Sequence, residues 1–240
     1  MPEVLFAGIA LTIAGFAKGL VGLGLPPIAM GLLVLMMSPV EAAAVMVVPA
    51  LLTNLWQAIA GPDLRGLLRR FGPMLILTAL GTLVFAGALA AHADTAIAVL
   101  GVLLVAYGAY GLRSPHSVLP QKAERWAAPL SGTATGIVTA FTGVSSMPSV
   151  PFLQSVGLPR DTFIQAMGLS FSVSALALIA SLGMSGGFAN GSITTISVAI
   201  LGAFSGMAGG THLRKRLDEA FFRRIVLLVL IVLGAYLLLR

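Results

Sequence analysis

Lys18 is the residue most in need of a chemical reason. It stands alone between two charge-free runs, 4–17 and 19–40. A cation in such a run is unfavourable enough in a membrane to mark a functional position by default. One helical turn on, the chain reads Gly22-Leu23-Gly24-Leu25-Pro26-Pro27, and a second break, Gly143-Val144-Ser145-Ser146-Met147-Pro148, interrupts the run 126–159. A helix restarted after a break presents unpaired N–H groups and the positive end of its dipole, and both favour an anion. Small residues let an anion approach the backbone closely, and Ser and Thr add hydroxyl donors. Gly22, Gly24, Gly143, Ser145 and Ser146, joined by Thr142, are the first candidates for a substrate site, with Lys18 balancing its charge. The plainer readings are a lysine that snorkels to the interface and glycines that only let helices cross closely, as Gly15 and Gly136 would.

Further polar residues sit in apolar surroundings. Thr53, Asn54 and Gln57 share one helical face, and Gln165, Ser170, Ser172 and Ser174 occupy a later helix. Asn54 and Gln165 are candidates to line the cavity, with interhelical hydrogen bonding as the competing role. Glu41 and Asp161 follow Pro39 and Pro159; they are candidates for proton coupling, or simply carboxylates at helix N-termini. His92, His116 and His212 have no i, i+4 spacing and no carboxylate cluster, so no metal site and no cofactor are expected. Gly143-x-Ser145 resembles a serine-nucleophile motif only faintly, and the available base, His212, belongs at a different depth. With no Cys there is no thiolate chemistry, and no phosphate-binding Gly-x-x-x-x-Gly-Lys run occurs. The sequence is not expected to be that of an enzyme.

The elements that must position these residues follow from composition. Of 240 residues, 58% are hydrophobic and only 9% charged, against about 25% charged in a soluble domain. That excludes a soluble enzyme and a disordered chain. The net charge of +6 is scattered between apolar runs, forms no continuous patch, and argues against a nucleic-acid partner. The expected fold is an all-α polytopic membrane protein, its partner the lipid bilayer, with a homo-oligomer left open. Charge-free runs 42–62, 71–93, 95–112, 162–213 and 225–239 complete the spans, the longest divided near Met184–Asn190. Pieces after the two breaks, 26–37 and 148–157, reach only about half a bilayer at ~1.5 Å per residue. Half-helices or re-entrant segments fit them.

Basic clusters at Arg65-Arg69-Arg70, at Arg113, Lys122 and Arg125, and at Arg214-Lys215-Arg216 with Arg223-Arg224 are expected in the cytoplasm. The cation-poor loops His92–Asp94 and Met184–Asn190, and both termini, are expected outside. Under that assignment residues 1–112 and 127–240 contain the same series of segments in opposite orientation, joined by a cytoplasmic linker, 113–126. This is the pattern of inverted-topology repeats. Gly15, Gly22 and Pro27 align without gaps on Gly136, Gly143 and Pro148, and one gap later Pro39-Val40-Glu41 faces Pro159-Arg160-Asp161.

Two stretches carry a resemblance. Gly15-Phe16-Ala17-Lys18-Gly19-Leu20-Val21-Gly22-Leu23-Gly24, leading to Pro39-x-Glu41-Ala42, resembles the first repeat of the TauE/SafE family of membrane proteins, named for sulfite and sulfoacetate export. Thr142-Gly143-Val144-Ser145-Ser146, with Pro148, Pro151-Phe152-Leu153 and Gly157-Leu158, is similar to the second. Leu25 and Pro26, and Ser145-Ser146, depart from the family's usual glycines. The resemblance implies secondary transport, in the direction of export, of small sulfur-containing anions such as sulfite or organosulfonates across a bacterial inner membrane. An anion channel, or a membrane subunit without transport of its own, is the alternative.

Overall fold

The structure is a computed structural model that describes residues 1–22, 24–113, 119–188, 192–214 and 218–239. Leu23, His116, Ala189, Asn190, Lys215 and Arg216 lie outside the described residues. Eight long helices and three short ones account for nearly all the rest. They are α1 (Pro2–Val21), α2 (Leu25–Leu33), α3 (Pro39–Ala60), α4 (Leu64–Val84), α5 (Ala88–Ala91), α6 (Ala93–Arg113), α7 (Gln121–Thr142), α8 (Ser149–Ser155), α9 (Arg160–Met184), α10 (Ile193–Leu213) and α11 (Glu219–Leu239). Among the described residues, seven segments are long and apolar enough to cross a membrane. The long helix outside that set is α7, whose first turns carry Lys122, Glu124 and Arg125 and whose body carries a Ser/Thr stripe.

Two breaks fall where glycine and proline interrupt the apolar pattern. Gly22 ends α1 in the left-handed conformation (φ 80°) and Gly143 ends α7 in the same way (φ 70°). Side chains rarely adopt that backbone, so glycine stops each helix there. The pieces that follow are short, nine residues in α2 and seven in α8. They end sooner than the spacing suggests, because Val34–Met36 and Val156–Gly157 close into turns. Two other boundaries move outward. Arg65, Arg69 and Arg70 lie on α4, and Lys122 and Arg125 on α7, where loops were expected. Asp63 caps α4 by accepting from Gly66 N–H (3.0 Å), and Arg70 makes a two-pronged ion pair with Glu124 (both 2.7 Å) that ties the two helix starts together.

Small residues bring helices together closely. Gly15 and Gly19 of α1 face Ala203 and Met207 of α10, while Gly206 and Gly210 face Thr12 and Phe16; a Cβ added at any of these glycines would overlap a backbone carbonyl. Gly132 and Gly136 pack α7 on Met74 and Thr78 of α4 in the same manner. Residue numbers rise together in both seams, so each pair is parallel. By contrast α6 meets α11 antiparallel (Gly101 on Gly234, Gly111 on Leu227), and so does α3 meet α9 (Gly61 on Gln165, Val40 near Gly187). The starts of α4, α7 and α11 and the ends of α1, α6 and α10 share one end of the bundle. That end carries the arginines and lysines of these helices, and the other end carries Glu3, His92 and Asp94.

Candidate functional site

The two breaks place equivalent positions at equivalent geometry. Gly22 N–H donates to the Lys18 carbonyl (2.7 Å), and Gly143 N–H donates to the Thr139 carbonyl (2.8 Å). Lys18 and Thr139 therefore both sit in the last turn before a break. Lys18 does not snorkel. It is 3% exposed, and its ammonium donates to Thr53 Oγ1 (3.1 Å) and to Asn54 Oδ1 on α3. The Thr53 hydroxyl spends its own proton on the Pro49 carbonyl (2.9 Å), so it meets Lys18 with a lone pair. Every acceptor the structure gives this ammonium is neutral.

An ammonium only donates, which fixes the Asn54 amide: Oδ1 faces Lys18 and the NH2 is turned away. Asn54 is 1% exposed, and its Nδ2 meets no partner among the described residues. Asn54 lines a small cavity together with Pro26, Thr139, Gly143, Ser145 and Ser174. Apolar side chains, including Met46 and Phe171, complete the walls, and the space left admits about one water. Both breaks thus reach one cavity. The register that sets Pro39 on Pro159 also sets Asn54 on Ser174, and both residues line this cavity.

The cavity is poorer in backbone donors than two helix N-termini would suggest. Pro26 and Pro27 in the first turn of α2, and Pro151 in α8, have no N–H to offer. Thr139 and Ser174 donate their hydroxyl protons to the Thr135 and Ser170 carbonyls (2.7 and 3.0 Å). The remaining side-chain donors on the wall are the Asn54 amide and the Ser145 hydroxyl. Lys18 is not on the wall. It stands behind Asn54, so its charge acts through the amide and across a short low-dielectric gap.

The other expected site residues have different duties. Gly22 caps α1, and Gly24, the N-cap of α2, lines a separate pocket beside Tyr107 and Gln154. Thr142 accepts from Val144 N–H (3.1 Å) and donates to Val138 O (2.7 Å), holding the break in shape. Ser146 is buried and accepts from Val150 N–H (3.0 Å) at the start of α8. Both ends of the Gln165 amide are used: Nε2 donates to Ala58 O (2.8 Å) and Oε1 accepts from Asp63 N–H (2.8 Å), so it staples α9 to the turn after α3. Glu41 forms a capping box with Ser38, its Oε2 accepting from Ser38 N–H (3.0 Å), and Asp161 is exposed in the first turn of α9. Neither carboxylate lines the cavity. His212 is exposed in the last turn of α10 at the basic end, and Ser145 is walled into the cavity, so they form no nucleophile–base pair. No three His, Asp or Glu gather as metal ligands among the described residues. Thr53, Thr139 and Ser174 were the partners that sequence reasoning did not assign to the site. The usable signal was the repeat register, which pairs Thr139 with Lys18 and Ser174 with Asn54.

These features define a class, a multi-pass helical membrane protein with a small, partly polar cavity and a buried lysine behind its wall. Within that class the match is specific: the model of the sulfite exporter TauE/SafE family fits residues 7–237, and the chain belongs to that family. Comparison with curated proteins and with solved structures gives no match.

Proposed function

We propose that this protein is a secondary transporter that exports small sulfur-containing anions, sulfite or organosulfonates, by alternating access. The carrying observation is the Lys18–Asn54 pair: a buried ammonium with neutral acceptors only, aiming an unpaired amide N–H2 into the cavity. A bound oxyanion would supply the missing negative charge and accept the orphaned donors.

The same reading treats the halves as inverted repeats with α2 and α8 as broken, half-length segments. Its support is directional. Repeat mates α3 and α9 run antiparallel where they touch, as do α6 and α11. Exchanging the halves turns the α1–α10 seam into the α7–α4 seam, and both are parallel. The basic end would face the cytoplasm of a bacterial inner membrane and both termini would lie outside. Purified protein titrated with sulfite, sulfate, thiosulfate and taurine tests the anion assignment, because a ligand bound only by the native state raises the melting temperature. A rise with one of these anions in the wild type, lost in Asn54→Leu, is expected. A rise with metal cations and with none of the anions would refute it.

A further inference from the structure

Three buried hydroxyls take no part in the cavity. Ser131 and Thr135 on α7 and Ser170 on α9 are 7%, 0% and 1% exposed, and their oxygens meet no partner among the described residues. Such groups are rare in folded interiors, and each needs a reason. Tight packing is not the reason, because the neighbouring seam satisfies the same chemistry. There Thr78 donates to Met74 O (2.9 Å) and lies 3.1 Å from Gly132 O, and Thr82 donates to Thr78 O (2.9 Å). Nor does the architecture demand hydroxyls. In the register of Gly15 on Gly136 and Pro39 on Pro159, the equivalents of Ser131, Thr135 and Ser170 are Ala10, Ala14 and Ala50.

Their placement supplies the reason. Ala128, Ser131, Thr135 and Thr139 follow one another at helical spacing along one face of α7. Ala128 lines a wide groove at the basic end, with Arg70, Lys122 and Arg125, and Thr139 lines the cavity. Ser170 precedes the cavity residue Ser174 by one turn of α9. α7 and α9 start at the same end of the bundle: Leu119 N–H donates to Ser155 O (2.7 Å), while Gln165 holds the start of α9 to Asp63 at the start of α4. All three orphaned hydroxyls therefore lie between groove and cavity.

We infer that Ser131, Thr135 and Ser170 mark the route, closed in this state, by which a small oxyanion passes between the basic groove and the central cavity. The inference rests on the transporter reading above. Lys122 and Arg125, beside the neutralised Arg70–Glu124 pair, raise the anion concentration at the mouth. The hydroxyls then replace lost water one turn at a time, and their lack of protein partners leaves them free to rotate toward the passing anion.

The chain has no cysteine, so single reporters can be read without background. Ser131→Cys, Thr135→Cys and Ser170→Cys, with the equally buried Thr78→Cys and Thr82→Cys as dry controls, are reconstituted in vesicles. An impermeant, sulfonate-bearing methanethiosulfonate is applied from the basic side. The three route positions should react about tenfold or more faster than the controls, because thiol reactivity follows exposure of the thiolate. Rates equal to the controls would overturn the route. A variant that fails to fold is replaced by Ser131→Ala, Thr135→Val or Ser170→Ala, whose sulfite flux should drop several-fold at unchanged melting temperature; unchanged flux overturns the route equally. Wild-type stabilisation by sulfite, measured in parallel, separates the two readings. If it persists while the cysteines stay unreactive, the route fails and the cavity stands; if it is absent while they react, the cavity reading fails and the route stands.

Discussion

At the scale of single residues, the molecule turns on a charge left without a counter-charge. Lys18 has three N–H donors, and the acceptors it finds, Thr53 and Asn54, are neutral. Lys18→Met keeps the apolar stem and removes the buried charge. Its melting temperature without anion should equal or exceed that of the wild type. Anion flux should fall by about one to two orders of magnitude, since a hydrogen bond to a charged group contributes about 1.5–3 kcal/mol. Full flux in Lys18→Met would end the functional reading of this residue. Lys18→Arg should be partly active, because the planar guanidinium replaces a compact charge with a wider fork. Asn54→Asp is the sharper variant. It seats a carboxylate where the Asn54 amide meets the ammonium, so the site neutralises itself and should fold well yet show no stabilisation by sulfite. A sulfite-induced rise in the melting temperature of Asn54→Asp would contradict the charge argument.

At the scale of elements, helix pairs are held by closeness more than by polar bonds. An added Cβ at Gly206 would collide with the Thr12 carbonyl and the Phe16 nitrogen of α1, and backbone cannot give way as a side chain can. Gly206→Ala should therefore destabilise by about 1–3 kcal/mol, the range for overpacking. Gly72→Ala on α4 meets nothing within 4 Å and should stabilise by about 0.5–1 kcal/mol, as alanine does in a helix. Melting temperatures of the two variants in one detergent should move in opposite directions; a similar shift in both would refute the seam. These seams also explain what could be read in advance. Gly22 and Gly143 announce breaks because few other residues adopt their backbone. The starts of α4 and α7 were not legible, because Arg65–Arg70 and Lys122–Arg125 look like loop charges until Arg70 is seen to pair with Glu124 across 54 residues. The partners of Lys18, 35 and 36 residues away, and the double duty of the Gln165 amide depend on how helices cross, which composition and periodicity do not encode.

At the scale of the whole molecule, direction ties fold to transport. Where they touch, α3 and α9 run antiparallel, as do α6 and α11, which is the relation the proposed inverted repeats require of repeat mates. Asn54 and Ser174, on the antiparallel helices α3 and α9, line one space. The polar lining differs between the halves, with hydroxyls on α7 and α9 and alanines at the equivalent places on α1 and α3. Under the proposed repeat, the two sides of the cavity are thus chemically unequal. Single cysteines test the orientation on which this depends. Arg65→Cys and Lys122→Cys sit at exposed positions of the basic end, and His92→Cys and Asp94→Cys at exposed positions of the opposite end. An impermeant thiol reagent added to intact cells should label His92→Cys and Asp94→Cys and spare Arg65→Cys and Lys122→Cys, with the pattern reversed in inside-out vesicles. An epitope at either terminus should share the accessibility of Asp94→Cys, because the start of α1 lies at the end of the bundle away from the arginines. Labelling of Arg65→Cys and Asp94→Cys from the same side would break the link between basic residues and sidedness. Both the inverted orientation and the cytoplasmic mouth of the route would fall with it.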